Sequence, residues 1–202
     1  ARGHDKESLK VLLVQMVSLL RNGRPVTMSK RAGEFVTLRE VMDEVGADAA
    51  KYTFLTRRPD SQMDFDLEIV KSQSSENPVF YVQYAYARAC NIEKFAEEKN
   101  LAILPASKVD LTLLILPEEV RIVKALAVYP EILEEAAISF EPHRLTVYLQ
   151  ELAGHFHSYY RDNRVVTDDI PLSQARMAMV KGLKTVIGNA LGLLGISAPK
   201  MM

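Results

Sequence analysis

Residues 142–164 read PHRLTVYLQELAGHFHSYYRDNR. Leu145, Leu149, Leu152, Phe156 and Tyr159 recur at helical spacing and fall on one stripe, which marks a helix burying one face in a bundle. Pro142 stands in the first turn, where its missing N–H costs nothing. The same signal recurs at Pro117, Pro130 and Pro171, and each predicts a further helix opening nearby. Glu118, Glu119 and Glu131 lie in first turns, where the helix dipole favours anions. Upstream, Asn77-Pro78 combines a capping side chain with a proline at the first helical position, and the pattern then runs unbroken to about Lys99. Residues 101–108 read as a linker.

Before Ile69 the texture is mixed. Val11–Leu20 is apolar and β-branched and reads as a buried strand. Asn22-Gly23 supplies a tight turn, so a hairpin with Pro25–Met28 follows. After a polar loop, Ser29 to Glu34, Thr37 and Glu40 have capping-box spacing, and Gly46 ends the helix they open. Ala47–Thr56 reads as a second helix, with Arg57 to Asp60 as its exit. The predicted fold is mainly α: residues 71–202 form an all-α helical bundle, preceded by an α/β tail end over residues 1–70.

A chain of 202 residues accommodates one large domain or two small ones. With 48% apolar and 25% charged residues it has the composition of a globular protein, not a disordered one. The single cysteine, Cys90, excludes an internal disulfide framework and fits a reducing, cytoplasmic setting. The apolar runs are too short or too polar to span a bilayer. A net charge of −1 gives no sign of a nucleic-acid partner, so such a partner would be held by local patches. The chain begins with Ala1, which suggests an excised or processed piece.

Residues 21–33, RNGRPVTMSKRAG, hold Arg21, Arg24, Lys30 and Arg31 with no acidic residue between them. A basic loop between a strand and a helix suits phosphate, although a solvated basic turn has the same composition. It is no Walker loop, because the glycine spacing and the Gly-Lys-Ser/Thr ending are absent. Tyr81, Tyr84 and Arg88, at i, i+3 and i+7, place two rings and a guanidinium on one helical face. Such a set suits the unstacked bases of a single-stranded loop, and equally tyrosines half-buried in a bundle. Tyr86 and Cys90 lie on the opposite side and read as packing. Tyr160, with Arg161 and Arg164, is a second aromatic and basic group; a solvated helix end complementing the dipole reads the same way. His155 and His157 are two apart and point away from each other, so no metal site is expected.

Met28-Ser29-Lys30 followed by Arg31 resembles the K-M-S-K-S signature of class I aminoacyl-tRNA synthetases, with Thr27 in place of the first lysine and Arg31 in place of the last serine. From about Val11 onward, VLLVQMVSLLRNGRPVTMSKRAGEFVTLREVMDEVGADAAKYTFLTRRPDSQMDFDLE, QSSENPVFYVQYAYARACNI, AVYPEILEEAA, EPHRLTVYLQELAGHFHSYYRDNRV and LLGISAPKMM resemble the arginyl-tRNA synthetase family. The resemblance implies that residues 1–70 are the end of a class I catalytic domain and residues 71–202 a helical (DALR-type) anticodon-binding domain. It implies an ATP loop of Met28, Ser29, Lys30 and Arg31, with Lys30 stabilising charge on the phosphates in the transition state. It further implies an anticodon face of Tyr81, Tyr84, Arg88, Tyr160 and the terminal Met202, a residue otherwise read as part of a frayed tail. Arg57-Arg58 with Asp64-Phe65-Asp66 would meet the inner corner of the tRNA, or form an ordinary solvated turn. The partners implied for the intact, monomeric enzyme are an arginine-accepting tRNA, arginine, and ATP with Mg2+. The H-I-G-H signature is absent, since Gly3-His4-Asp5 does not match it, so this polypeptide alone is expected to be inactive in arginine activation. The rival readings are another class I synthetase, such as the cysteinyl enzyme, and a non-catalytic helical interaction module.

Overall fold

Asn22 and Gly23 adopt left-handed backbone conformations, with φ of 52° and 73°. A two-residue hairpin turn that follows the strand twist requires this geometry. The turn joins β1 (Val17–Arg21) to β2 (Arg24–Pro25), with Leu20 opposite Pro25 and Arg21 opposite Arg24. The carboxylate of Asp66 accepts hydrogen bonds from the Asn22 and Gly23 N–H groups at 3.2 and 2.6 Å, which ties the turn to the next strand. The computed structural model describes residue 3 and residues 9–26, 36–72 and 77–202.

That next strand, β3 (Met63–Asp66), runs parallel to β1 on its other side, giving a three-stranded sheet in the order β2-β1-β3. Between the strands lie α1 (Leu38–Val45) and α2 (Ala47–Leu55). The predicted capping box opens α1: the Thr37 hydroxyl accepts from Glu40 N at 3.2 Å, and Thr37 N donates to the Glu40 carboxylate at 2.6 Å. Gly46, at φ 87°, closes α1 and starts α2 in one residue.

Two expectations about this region are corrected. Val11–Leu20 is not one buried strand: β1 begins at Val17, and Val11, Leu13 and Met16 are 72%, 83% and 83% exposed. An apolar strand is buried only where a second layer covers it, and among the described residues nothing covers this run. Asp64-Phe65-Asp66 is not a solvated turn either. Phe65 is fully buried in β3 and stacks on Phe54 at 4.9 Å, while Asp66 also caps α3 (Leu67–Lys71) by accepting from Glu68 N at 3.0 Å.

The remainder is helical: α4 (Pro78–Glu98), α5 (Pro117–Ala127), α6 (Tyr129–Ser139), α7 (His143–Asp162) and α8 (Ile170–Leu193). Each starts within a residue of the proline that predicted it, and Asn77 caps α4 by accepting from Val79 N at 3.2 Å. The stripe on α7 is the core: Leu149, Leu152, Phe156 and Tyr159 are fully buried, as are Val82, Leu183 and Ile187 facing them. Burial of each such side chain contributes about 1.5–3 kcal/mol. Glu119 plays more than a dipole role. It is wholly buried and receives Arg176 Nε at 2.7 Å, the Tyr159 hydroxyl at 3.3 Å and Leu116 N at 3.1 Å, linking α5, α7 and α8. Small residues let the helices close on one another: a Cβ on Gly188 would meet the Tyr86 ring at 3.1 Å, as expected for packing on that side of α4. The α1–α2 unit is joined to the bundle by the buried Tyr52, whose hydroxyl donates to the Thr146 carbonyl at 3.0 Å. Among the described residues no helix is long and apolar enough to cross a membrane.

Candidate nucleic-acid interface

α4 and α7 pack side by side, and the exposed edge of their seam carries an aromatic and basic cluster. The Arg88 guanidinium carbon sits 4.5 Å from the centre of the Tyr84 ring on its own helix and 5.0 Å from that of Tyr160 on α7. Both are cation–π distances. Arg88 Nη2 also donates to the Tyr84 hydroxyl at 3.0 Å, and Nη1 meets Nδ1 of His157 at 2.9 Å. Arginine has no acceptor, so His157 Nδ1 must accept, and the ring proton belongs on Nε2. That nitrogen lies 3.1 Å from the Tyr81 carbonyl, to which it donates. Burial and the neighbouring Arg88 charge both hold the His157 pKa below its ordinary value, against the opposing pull of the Tyr81 carbonyl. The imidazole stacks with Tyr84 at 5.6 Å and meets Tyr81 edge-on at 4.6 Å.

The solvent side of the cluster is open, since Tyr84 and Tyr160 are 40% and 36% exposed. Tyr81 is half-buried, its hydroxyl 3.6 Å from where a Cβ on Gly154 would be. Phe80 extends the row, stacking on Tyr84 at 6.3 Å. Phe80 also lines a cleft of about 550 Å³, together with Gln83 and Met202. The chain is held at Ser197, ahead of the exposed Met201 and Met202: Asp48 Oδ2 accepts from Ser197 N at 3.1 Å and from the Ser197 hydroxyl, while Gln83 Nε2 donates to the Ser197 carbonyl at 2.9 Å. At the other end of the row a second cleft, about 530 Å³, is lined by Tyr160 with Asn91, Phe95 and Arg164. Tyr84, Arg88 and Tyr160 are thus brought together, with Tyr81 beside them, whereas Met202 lines the separate cleft that includes Phe80.

Other predicted residues are placed differently. Met28, Ser29, Lys30 and Arg31 lie outside the described residues. Arg21 is not available for phosphate: it forms a bidentate pair with Glu44 at 2.7 and 2.8 Å and reaches Glu68 at 2.6 Å. Arg161 pairs with Asp162 at 3.0 Å, and Arg58 with Asp60 at 3.3 Å. His155 lines a separate cleft of about 550 Å³ between α5, α6 and α7, beside Arg121 and Lys124 and away from His157. Among the described residues no group of histidines, cysteines and carboxylates could hold a metal ion. Sequence reasoning missed His157 and Phe80. The signal was present, since Phe80, Tyr84 and Arg88 repeat every four residues and His157, Tyr160 and Arg161 share a helical face.

The sequence profile of the DALR anticodon binding domain matches residues 82–202. The chain belongs to that family. Tyr84, Arg88, Tyr160 and Met202 fall within the DALR domain, and Tyr81 immediately precedes it. An arginine–tRNA ligase from Syntrophotalea carbinolica is 55% identical over 198 residues, covering 98% of this chain and 36% of that protein. One from a Geobacter species is 56% identical over 201 residues, 99% of this chain and again 36% of the relative. The chain therefore spans about a third of the length of the curated relatives it matches, and it corresponds to their C-terminal part. An arginyl-tRNA synthetase structure from Campylobacter jejuni superimposes with a TM-score of 0.85 at 30% identity, covering 99% of this chain and 42% of that one. The Thermus thermophilus arginyl-tRNA synthetase gives 0.67 at 25% identity, over 91% and 34%. The small sheet and the DALR bundle together recur in these synthetases.

Proposed function

We propose that this chain is the C-terminal part of an arginine–tRNA ligase, and that the seam of α4 and α7 binds the anticodon loop of the arginine-accepting tRNA. The observation that carries the proposal is the exposed Tyr84–Arg88–Tyr160 group, with Arg88 held between two rings. Splayed bases stack on aromatic rings or on a guanidinium plane, at about 1–3 kcal/mol per base. Two of the Arg88 N–H groups are taken by His157 and Tyr84, and the others remain for phosphate or a base edge. Tyr81 backs the platform, and Met202 offers a thioether against which a base can pack.

Residues 1–70 would then be the end of the catalytic domain and residues 71–202 the anticodon-binding domain. Met28, Ser29, Lys30 and Arg31 would form the ATP loop of the intact enzyme, which joins arginine to tRNA at the expense of ATP; Lys30 would be the catalytic cation that stabilises charge developing on the phosphates, with Mg2+ accompanying them. The intact enzyme would act in the cytoplasm as a monomer, and this chain alone would not form arginyl-adenylate. A gel-shift titration of the chain against tRNA with an arginine anticodon tests the proposal. Swapping the central anticodon base should weaken the complex, and added salt should weaken both complexes by releasing counterions. Equal affinity for the two tRNAs would overturn it.

A further inference from the structure

We propose that His157 is a positioning residue of this RNA-binding face: as a neutral imidazole it holds the Arg88 guanidinium between the Tyr84 and Tyr160 rings, and the face loses RNA when the imidazole is protonated. The inference rests on the reading of the α4–α7 seam as an RNA surface. Its basis is that one ring is fixed from three sides. Nε2–H is anchored on the Tyr81 carbonyl at 3.1 Å, which orients Nδ1 toward Arg88 at 2.9 Å, while Tyr81 and Tyr84 hold the ring plane. An acceptor so placed sets the height and tilt of the guanidinium, and with them which N–H groups face solvent.

Protonation reverses this contact. Nδ1 would become a donor facing a donor, and two cations would stand at hydrogen-bonding distance. The groups facing His157 are Tyr81, Tyr84 and Arg88 from α4, with Tyr160 and Arg161 on its own helix. Arg161 is paired with Asp162, and among the described residues no carboxylate lies within ion-pair distance of the imidazole. Nothing nearby would offset the second charge, so Arg88 would be driven off the rings. The depressed pKa of His157 agrees with a site built for the neutral ring.

The sign of the pH response separates this role from ordinary electrostatics. Protonating surface histidines adds positive charge and strengthens binding to RNA. A positioning His157 does the opposite, so affinity should fall as pH drops from 7.5 toward 5. The test is RNA affinity of the full chain, wild type and variants, measured with an arginine-anticodon stem–loop across that range at fixed ionic strength. His157→Asn places an amide oxygen near the Nδ1 position but cannot titrate; it should bind more tightly than His157→Leu at pH 7.5 and lose the acid-side weakening. His157→Leu should lose roughly tenfold at pH 7.5. Should the leucine variant misfold by circular dichroism, the wild-type profile and the asparagine variant decide alone. Affinity that is flat or rising toward acid in the wild type, or an asparagine variant that still weakens in acid, overturns the inference. Arg88→Ala serves as the control. If it leaves affinity unchanged, the RNA-surface reading itself has failed; if it weakens binding while the His157 results go the wrong way, only the positioning role has.

Discussion

Replacing Arg176 with methionine should destabilise the bundle far more than a typical arginine substitution. The Arg176 side chain is 10% exposed and that of Glu119 not at all, with Nε 2.7 Å from Oε1. Arg176 also donates through Nη1 to the Arg164 carbonyl at 2.7 Å, so its loss frees the segment that follows α7 as well. What remains around Glu119 is the Tyr159 hydroxyl at 3.3 Å and Leu116 N at 3.1 Å, neither carrying a full charge. An uncompensated buried charge costs about 3–5 kcal/mol. For a chain of this size, at about 2–4 °C per kcal/mol, the midpoint should fall by roughly 6–20 °C. Thermal and urea unfolding followed by far-UV circular dichroism measure this. The decisive variant is Arg176→Met combined with Glu119→Gln. The amide still accepts from Leu116 N but carries no charge, so the double variant should regain about 2 kcal/mol over Arg176→Met alone. A loss below about 1 kcal/mol for Arg176→Met, or strictly additive effects in the double variant, would refute the reasoning.

Two further perturbations probe other joints of the structure. Hydrogen bonds from Gly23 N, and then from Glu68 N and Asn22 N, hold the Asp66 carboxyl below the ordinary carboxylate range. A depressed carboxylate contributes stability above its unfolded pKa, near 4, and loses that contribution as pH falls through its folded value. Asp66→Asn should therefore lower the melting temperature at pH 7, and the gap to wild type should close below about pH 4; a gap constant with pH would count against it. Asp48→Ala removes the acceptor of the Ser197 N–H and hydroxyl. At about 1–2 kcal/mol this makes tail opening roughly five- to thirtyfold easier. Hydrogen exchange at the Ser197 N–H should then speed up by a comparable factor, and an unchanged rate would show that the tail is held otherwise.

Much of this architecture is local in origin, and that part was legible. A proline in the first turn, the Thr37–Glu40 capping box and the Asn22-Gly23 turn each act within a few residues, so sequence alone places them. What escaped depends on partners distant in the chain. β3 is only four residues, with Asp64 and Asp66 flanking Phe65, and its strand character comes from pairing with β1 more than forty residues earlier. Arg21 looked like a free phosphate ligand because Glu44 and Glu68 lie 23 and 47 residues away. Glu119 looked like a dipole anion because its counter-ion sits 57 residues on. The proposed RNA face shows the same division. Tyr81, Tyr84 and Arg88 stood out through helical spacing, whereas His157 meets Arg88 only once α7 is laid against α4, 69 residues away in the chain.

The central claim is that RNA rests on the Tyr84–Arg88–Tyr160 face. Photocrosslinking tests it most directly, using an anticodon stem–loop of the arginine tRNA with a photoreactive base at the central anticodon position and mapping the attached peptide. Crosslinks should fall on α4 around Tyr84 and Arg88, on α7 at Tyr160, or on the Met202 tail, and should be lost on adding unlabelled matched RNA. Crosslinks confined to the cleft beside Arg121 and Lys124, or scattered over the surface and insensitive to competitor, would contradict the account.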